Sequence, residues 1–215
     1  MVLFSLKDYS YFCGNRSSDL IWKIVCLLIS LSGLFVRIIT VGYIYPGTSG
    51  RNTKYQEADN LNTSGIYSVV RNPLYLGNII MYMGTVFVAQ NIALAAAVLA
   101  ILLFYYERII YTEECFLAEK YGAKYAEWAN NTPLLVPDFA KYRKSDLKFN
   151  WKLVLRKEFS GVFAVAAVFF MLDSTSNFFV SGKFSAGIFW TVYLAANLVF
   201  YAVVLCLKKR TAVLK

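Results

Sequence analysis

The fold is organised around the stretch Leu61-Asn-Thr-Ser-Gly-Ile-Tyr-Ser-Val-Val-Arg-Asn-Pro-Leu-Tyr-Leu-Gly-Asn78, which lies between two long apolar segments. Ser64-Gly65 indicates a turn, because glycine adopts backbone angles that other residues avoid. Asn72-Pro73 predicts a helix start, since asparagine is a favoured N-cap and proline fits the first helical position. The following helix is apolar enough to enter a bilayer. Its first N–H groups and positive dipole end would therefore lie near the membrane surface, where they can hold a carboxylate or phosphate.

The composition of the whole chain is that of a membrane protein. The 215 residues are 58% hydrophobic, and several apolar runs approach the roughly 20 residues that cross a bilayer. We expect an all-α, polytopic membrane protein with about five transmembrane helices. It should form a single domain over residues 1–215, with no room for a separate soluble domain.

The net charge of +9 is concentrated beside the apolar segments rather than spread along the chain. The densest group comprises Lys141, Arg143, Lys144, Lys148, Lys152, Arg156 and Lys157. This pattern is typical of cytoplasmic loops that face anionic lipid headgroups, and it argues against a nucleic-acid partner. It predicts a multi-pass membrane protein with the C-terminus and the site-bearing loops in the cytoplasm. The N-terminus and Lys183 should lie on the other side.

Neither a metal site nor a disulfide framework is indicated. The chain has no histidine, which removes the commonest metal ligand and the commonest base at neutral pH. Its four cysteines have no C-x-x-C spacing. We therefore predict no bound metal.

The predicted spans follow the apolar runs and the residues that interrupt them. They are Ile21–Tyr45, Leu74–Ala89, Ile92–Tyr106, Phe159–Leu172 extending toward Val180, and Phe184–Leu207. Residues 1–19 should form an interfacial lead-in, and Pro46-Gly47 should end the first span. Gln90-Asn91 should be the tip of a tight helical hairpin. The third span should continue out of the membrane to Gly122, followed by a short helix at Ala123–Trp128.

Arg37 lies well inside the first predicted span. A charge at that depth costs about 3 kcal/mol or more unless it reaches the headgroups or faces a polar cavity. Two interpretations follow. Either the side chain snorkels to the headgroups, or it points inward and lines a cavity.

A second motif follows the third span. It reads Glu113-Glu114-x-x-Leu117-x-x-x-Tyr121-Gly122-x-x-Tyr125-x-x-Trp128, then Pro133-Leu-Leu-Val-Pro137. Taken alone, the two glutamates could be a solvated helix face paired at one-turn spacing with Lys120 or Arg108.

The two motifs together resemble the isoprenylcysteine carboxyl methyltransferase family, which are integral-membrane enzymes that use S-adenosylmethionine. The resemblance rests on Ser64–Tyr67, Val70–Gly77 and the second motif, and it needs no gap from Asp59 to Pro137. It implies a cofactor core at about 59–137, with an extra C-terminal helical hairpin at about 158–207. By this resemblance the S-adenosylmethionine contacts are Asp59, Asn60, Leu61, Asn62, Tyr67, Asn72, Pro73, Leu74, Tyr75 and Glu113, and the catalytic candidates are Glu113 and Arg108.

The residue chemistry suits this cofactor. Glu113 can pair with the cationic end, and the helix start can take the carboxylate. Tyr67, Tyr75, Tyr125 or Trp128 can offer aromatic faces to the sulfonium.

Two departures from the family pattern leave the substrate open. Asn72 stands where prenylcysteine enzymes usually have histidine. Ile109 stands in place of their substrate-contacting arginine, and the adjacent Arg108 is about 100° away around the helix.

The reaction favoured is methyl transfer to a membrane-embedded lipid or lipidated acceptor that enters from the bilayer. An anionic carboxylate or phosphate oxygen needs no base, whereas an amine would have to lose a proton to a glutamate. Arg37 and Arg108 are the candidate anchors for such an acceptor. Two alternatives remain: a membrane sterol reductase that uses NADPH, and a non-enzymatic helical membrane scaffold.

Overall fold

The computed structural model describes residues 5–45 and 60–210. Within these ranges it contains the helices α1 (Arg16–Gly42), α2 (Pro73–Phe87), α3 (Ile92–Tyr121), α4 (Ala123–Asn131), α5 (Trp151–Ser181) and α6 (Ile188–Arg210), with four short 3-10 turns. The part of the chain that is described contains no β-strand, only an isolated bridge between Gly65 and Arg143.

The predicted class, an all-α polytopic membrane protein, is confirmed. Four helices are long and apolar enough to cross a membrane, namely α1, α3, α5 and residues Ile188–Lys209 of α6. The remaining predicted span, Leu74–Ala89, corresponds to α2, which is apolar but only 15 residues long. The first span begins and ends earlier than predicted, because the Asn15 side chain caps α1 and the helix stops at Gly42. Pro46-Gly47, the predicted end, lies outside the described residues.

The helical hairpin formed by α2 and α3 matches its prediction. Gln90 adopts a positive φ of 54°, and the Asn91 side chain accepts a hydrogen bond of 2.9 Å from the Leu94 N–H. These two residues therefore end one helix and cap the next. As predicted, α3 continues to Gly122, whose φ of 53° ends it before α4.

Small residues bring α1 and α2 into backbone contact. A Cβ atom added at Gly77 would lie 2.7 Å from the Gly33 carbonyl oxygen and 2.8 Å from Arg37 Cγ. One turn further along, the Ser30 hydroxyl donates to the Met81 carbonyl at 2.9 Å. Such close approach between apolar helices is typical of packing inside membranes.

The end of the bundle remote from Asn72 is closed by the N-terminal segment and a buried ionic cluster. Leu6 and Tyr9 are buried in the main hydrophobic core, so this segment packs more deeply than the predicted interfacial lead-in. Lys23 Nζ lies 2.8 Å from carboxylate oxygens of both Asp19 and Asp173. These contacts join α1 to α5.

The C-terminal hairpin begins earlier than predicted. The Asn150 side chain caps α5 by accepting a hydrogen bond from the Leu153 N–H at 3.0 Å. The Asn150 N–H donates to the Gly42 carbonyl at 2.9 Å. The start of α5 is thereby tied to the end of α1, and residues 151–158 are helical.

Candidate active site

The two sequence motifs meet where α2 begins and α3 nears its end. The Tyr75 hydroxyl, on the first turn of α2, donates a hydrogen bond of 2.7 Å to Glu113 Oε1. Both side chains are partly buried. The contact arises because α2 and α3 run antiparallel, so the start of one helix lies beside the far part of the other.

The neighbouring glutamate has different partners. Asn72 Nδ2 donates to Glu114 Oε1 at 3.3 Å. Arg71 Nε lies 3.4 Å from the same oxygen, within ion-pair range, but it is not aligned for a hydrogen bond. Consecutive residues on a helix point about 100° apart, so each glutamate contacts a different part of the Arg71–Tyr75 segment.

The interpretation of these glutamates as a solvated face paired with Lys120 or Arg108 is wrong. Lys120 Nζ lies 5.9 Å from the ring centroids of Phe116 and Tyr121. The partners of both carboxylates come instead from the first motif, some forty residues earlier in the chain.

Asn72 precedes α2 as predicted, but its side chain does not cap the helix. The amide group is turned toward Glu114 and the Leu134 carbonyl, which lies 3.4 Å away. The N-cap prediction is therefore wrong for the side chain. The amide nitrogen donates to Glu114 and Leu134, and the side-chain oxygen, which would cap the helix, accepts no hydrogen bond from its first turn. Pro73 takes the first helical position as predicted, and the first turn of α2 has no side-chain cap.

The loop before α2 is held in place by α4 and the segment after it. Trp128 Nε1 donates to the Tyr67 carbonyl at 3.0 Å, and Leu61 packs with Tyr125 and Trp128 in a small apolar cluster. The predicted turn at Gly65 is confirmed by its φ of 62°. Its N–H donates to the Arg143 carbonyl at 2.8 Å.

The tyrosines of this region stay protonated at neutral pH. Burial raises the pKa of the Tyr67 hydroxyl, and the charge of Glu113 raises it further. Burial, with the charge of Glu114, raises the pKa of Tyr125 to about 12. Neither phenol can therefore act as a base near pH 7.

The other predicted site residues are placed less centrally. Asn60 is exposed, and the Asn62 side chain accepts a hydrogen bond of 3.4 Å from the Tyr45 N–H. Leu74 lies on the first turn of α2 beside Tyr75. Asp59 lies outside the described residues.

Arg108 is exposed on α3, and its guanidinium carbon lies 5.0 Å from the centre of the Phe104 ring. Within residues 5–45 and 60–210 it forms no ion pair. The structure therefore does not bring Arg108 into the group formed by Tyr75, Glu113 and Glu114.

Arg37 points inward, so that interpretation is confirmed over snorkelling. Its guanidinium donates to both carboxylate oxygens of Glu158, at 2.9 and 2.7 Å, and to the Asn78 side-chain oxygen. Neither Glu158 nor Asn78 was predicted from the sequence as a partner of Arg37. The one available signal was a single glutamate, Glu158, directly before an apolar run, where a charge needs a partner.

A cavity of about 360 Å³ lies beside this cluster, between α1, α2 and α5. Tyr75 lines the cavity and also contacts Glu113, so the cavity and the paired glutamates share one side chain.

Part of the chain is similar to a known protein family. Residues 22–124 match the phospholipid methyltransferase family. The chain is thus similar to that family over slightly less than half of its length. The matching segment contains most of α1, the whole of α2 and α3, and the first residues of α4, and it ends before α5.

Three relatives are about one-third identical to the chain over the segments that align. The cobalt-zinc-cadmium resistance protein CzcN of Cupriavidus metallidurans is 33% identical over 132 residues, which are 60% of this chain and 58% of that protein. Protein-S-isoprenylcysteine O-methyltransferase B of Arabidopsis thaliana is 35% identical over 46% of this chain and 50% of its own length. Methyltransferase A of the same plant is 32% identical over 52% and 57%.

The chain therefore spans between half and three-fifths of the length of these relatives. No solved structure matches the chain. In the described ranges, no group of three or more cysteine, aspartate or glutamate side chains could hold a metal ion.

Proposed function

We propose that this protein transfers a methyl group from S-adenosylmethionine to an anionic carboxylate or phosphate oxygen of a membrane-embedded lipid or lipidated acceptor. The observation that carries the proposal is the Tyr75–Glu113 hydrogen bond of 2.7 Å, which joins the two motifs. The family match over residues 22–124 supports it, as do the relatives named isoprenylcysteine O-methyltransferases.

The residues around this contact fit the groups of the cofactor. Glu113 would hold the ammonium group, and the ring faces of Tyr67 and Tyr75 would lie against the sulfonium. The first turn of α2 lacks a side-chain cap, so its N–H groups are available for the carboxylate. When bound, S-adenosylmethionine supplies an electrophilic methyl group.

The protein's own groups orient and shield the reactants. The Tyr75 hydroxyl fixes the direction of the Glu113 carboxylate. Trp128 packs against Leu61 of the loop before α2 and thereby excludes water from one side of that loop. Positioning and water exclusion are the main requirements of an in-line displacement. Tyr67 and Tyr125 stay protonated and the chain has no histidine, so an acceptor oxygen that is already anionic suits this site.

The length of α2 favours an acceptor that lies in the membrane. Fifteen residues span about 22 Å of helix, which is shorter than a hydrocarbon core of about 30 Å. We place the start of α2 on the cytoplasmic side, recessed below the membrane surface. A lipid reaches such a position more easily than a soluble molecule does.

The first test is the substitution Glu113→Ala. Because a semi-buried cation would lose its partner, we expect the binding free energy of S-adenosylmethionine to weaken by about 1.5–3 kcal/mol. The measurement is isothermal titration calorimetry on the purified protein. Glu119→Ala is the matched control, since Glu119 is an exposed glutamate on the same helix. Unchanged affinity in Glu113→Ala would contradict the assignment.

The same titration separates the alternatives. A methyltransferase binds S-adenosylhomocysteine and not NADPH, and a sterol reductase does the reverse. A membrane scaffold binds neither. Binding of NADPH by the unmodified protein would replace the proposal with the reductase.

A further inference from the structure

The cavity beside Arg37 has mixed walls. The apolar part includes Leu74 and Met81 of α2, Val41 of α1, and Ile44, which follows α1 in the chain. The polar part includes Arg37, Asn78, Lys157 and Glu158. A volume of about 360 Å³ is within the range of natural small-ligand sites. A cavity lined by both apolar side chains and polar donors suits an amphiphile.

The polar part retains donors for a ligand. A guanidinium carries five N–H groups, and the contacts with Glu158 and Asn78 use three of them. The remaining two have no acceptor among the hydrogen bonds of the described residues, and we assign them to an oxyanion. The bidentate pair with Glu158 also keeps the Arg37 cation tolerable at membrane depth when no ligand is bound.

The part of the cavity wall that α5 forms lies outside the segment that matches the family. Ser160, Gly161 and Ala164 of α5 line the cavity together with Glu158, whereas the family match ends at residue 124. These three side chains are small, so α5 leaves space where larger residues would fill it. The C-terminal hairpin thus decides how wide the cavity is.

We infer that this cavity binds the acceptor, an amphiphile with an oxyanion headgroup, and that α5 limits the size of the chain it accepts. This inference rests on the proposed function. The headgroup lies at Arg37 and Asn78, and the alkyl chain lies along Met81 and the small face of α5. Because Tyr75 borders both the cavity and Glu113, the headgroup lies next to the proposed cofactor site.

The test compares two leucine substitutions on the C-terminal hairpin. Both alanines are exposed in the helical bundle. Ala164→Leu narrows the cavity, whereas Ala196→Leu adds the same atoms on α6, outside the cavity lining. The probes are radiolabelled dodecyl phosphate, inorganic phosphate as a competitor, and S-adenosylhomocysteine. Each is measured by equilibrium binding to the full chain in maltoside micelles.

We expect Ala164→Leu to weaken dodecyl phosphate binding on the order of tenfold, as overpacking of a filled site does. Ala196→Leu should bind dodecyl phosphate like the unmodified protein, and inorganic phosphate should compete poorly. All three proteins should bind S-adenosylhomocysteine equally, which also shows that both variants are folded.

Equal dodecyl phosphate affinity in the two leucine variants would overturn the inference, as would strong competition by inorganic phosphate. Failure of the unmodified protein to bind S-adenosylhomocysteine would overturn the proposed function instead. In that case a selective effect of Ala164→Leu would still identify a lipid-binding cavity, but not an acceptor site.

Discussion

Arg37 and Glu158 form a buried ion pair in which each charge needs the other. The two side chains are separated by 121 positions in sequence, and both are buried. Removing one charge from a buried pair leaves the other uncompensated, whereas removing both replaces the pair with neutral groups of similar shape.

We therefore expect Arg37→Gln alone to lower the free energy of unfolding by about 3–5 kcal/mol. The double variant Arg37→Gln/Glu158→Gln should recover most of that loss. Thermal or denaturant unfolding in micelles measures both. If the double variant is as unstable as the single variant, the charges are not coupled in the way the contacts indicate.

At the scale of elements, the position of Tyr75 depends on how closely α1 approaches α2. The contact is between backbones at Gly33 and Gly77, and the atoms that a new Cβ would meet at Gly77 lie 2.7–2.8 Å away. Backbone atoms in two packed helices cannot move aside as the end of a flexible side chain can. Any added methyl group there has to separate the helices.

Gly77→Ala should accordingly cost about 1–3 kcal/mol of stability through overpacking. It should also weaken cofactor binding, because α2 carries Tyr75. Gly161→Ala is the matched stability control, since its new Cβ would meet nothing closer than 3.6 Å. Thermal unfolding of both variants is the measurement, and equal melting temperatures would show that α1 and α2 are not in tight contact.

At the scale of the whole molecule, the distribution of charge predicts the orientation of the protein in the membrane. Lys148 lies just before α5 and Lys183 just after it, so a spanning α5 places them on opposite sides. The excess of basic residues around Lys148 predicts that this side faces the cytoplasm.

Single cysteines at these two positions test the orientation in a variant that lacks the exposed Cys13, Cys115 and Cys206. In intact cells, a membrane-impermeant maleimide should label Lys183→Cys. It should label Lys148→Cys only after permeabilisation. The reverse pattern would show that the protein is inverted, and labelling of both would show that α5 does not span.

Local sequence signals predicted the order of the helices, although α1 and α5 begin earlier than their apolar runs. Apolar runs, capping asparagines and the glycine at position 122 act within a few residues, so the α2–α3 hairpin and the extension of α3 could be predicted from local chemistry. Through their resemblance to a methyltransferase family, the two motifs also indicated Tyr75 and Glu113, which the structure brings into hydrogen-bond contact.

The partners of the polar side chains depend on how the helices pack together. The Asn72 amide could have capped α2, and it contacts Glu114 because α3 brings a carboxylate within reach. Arg37 could have snorkelled, and it is held inside because α5 supplies Glu158. These choices depend on which helix faces point at one another. A repeat of apolar residues defines the buried face of each helix but does not specify its neighbour.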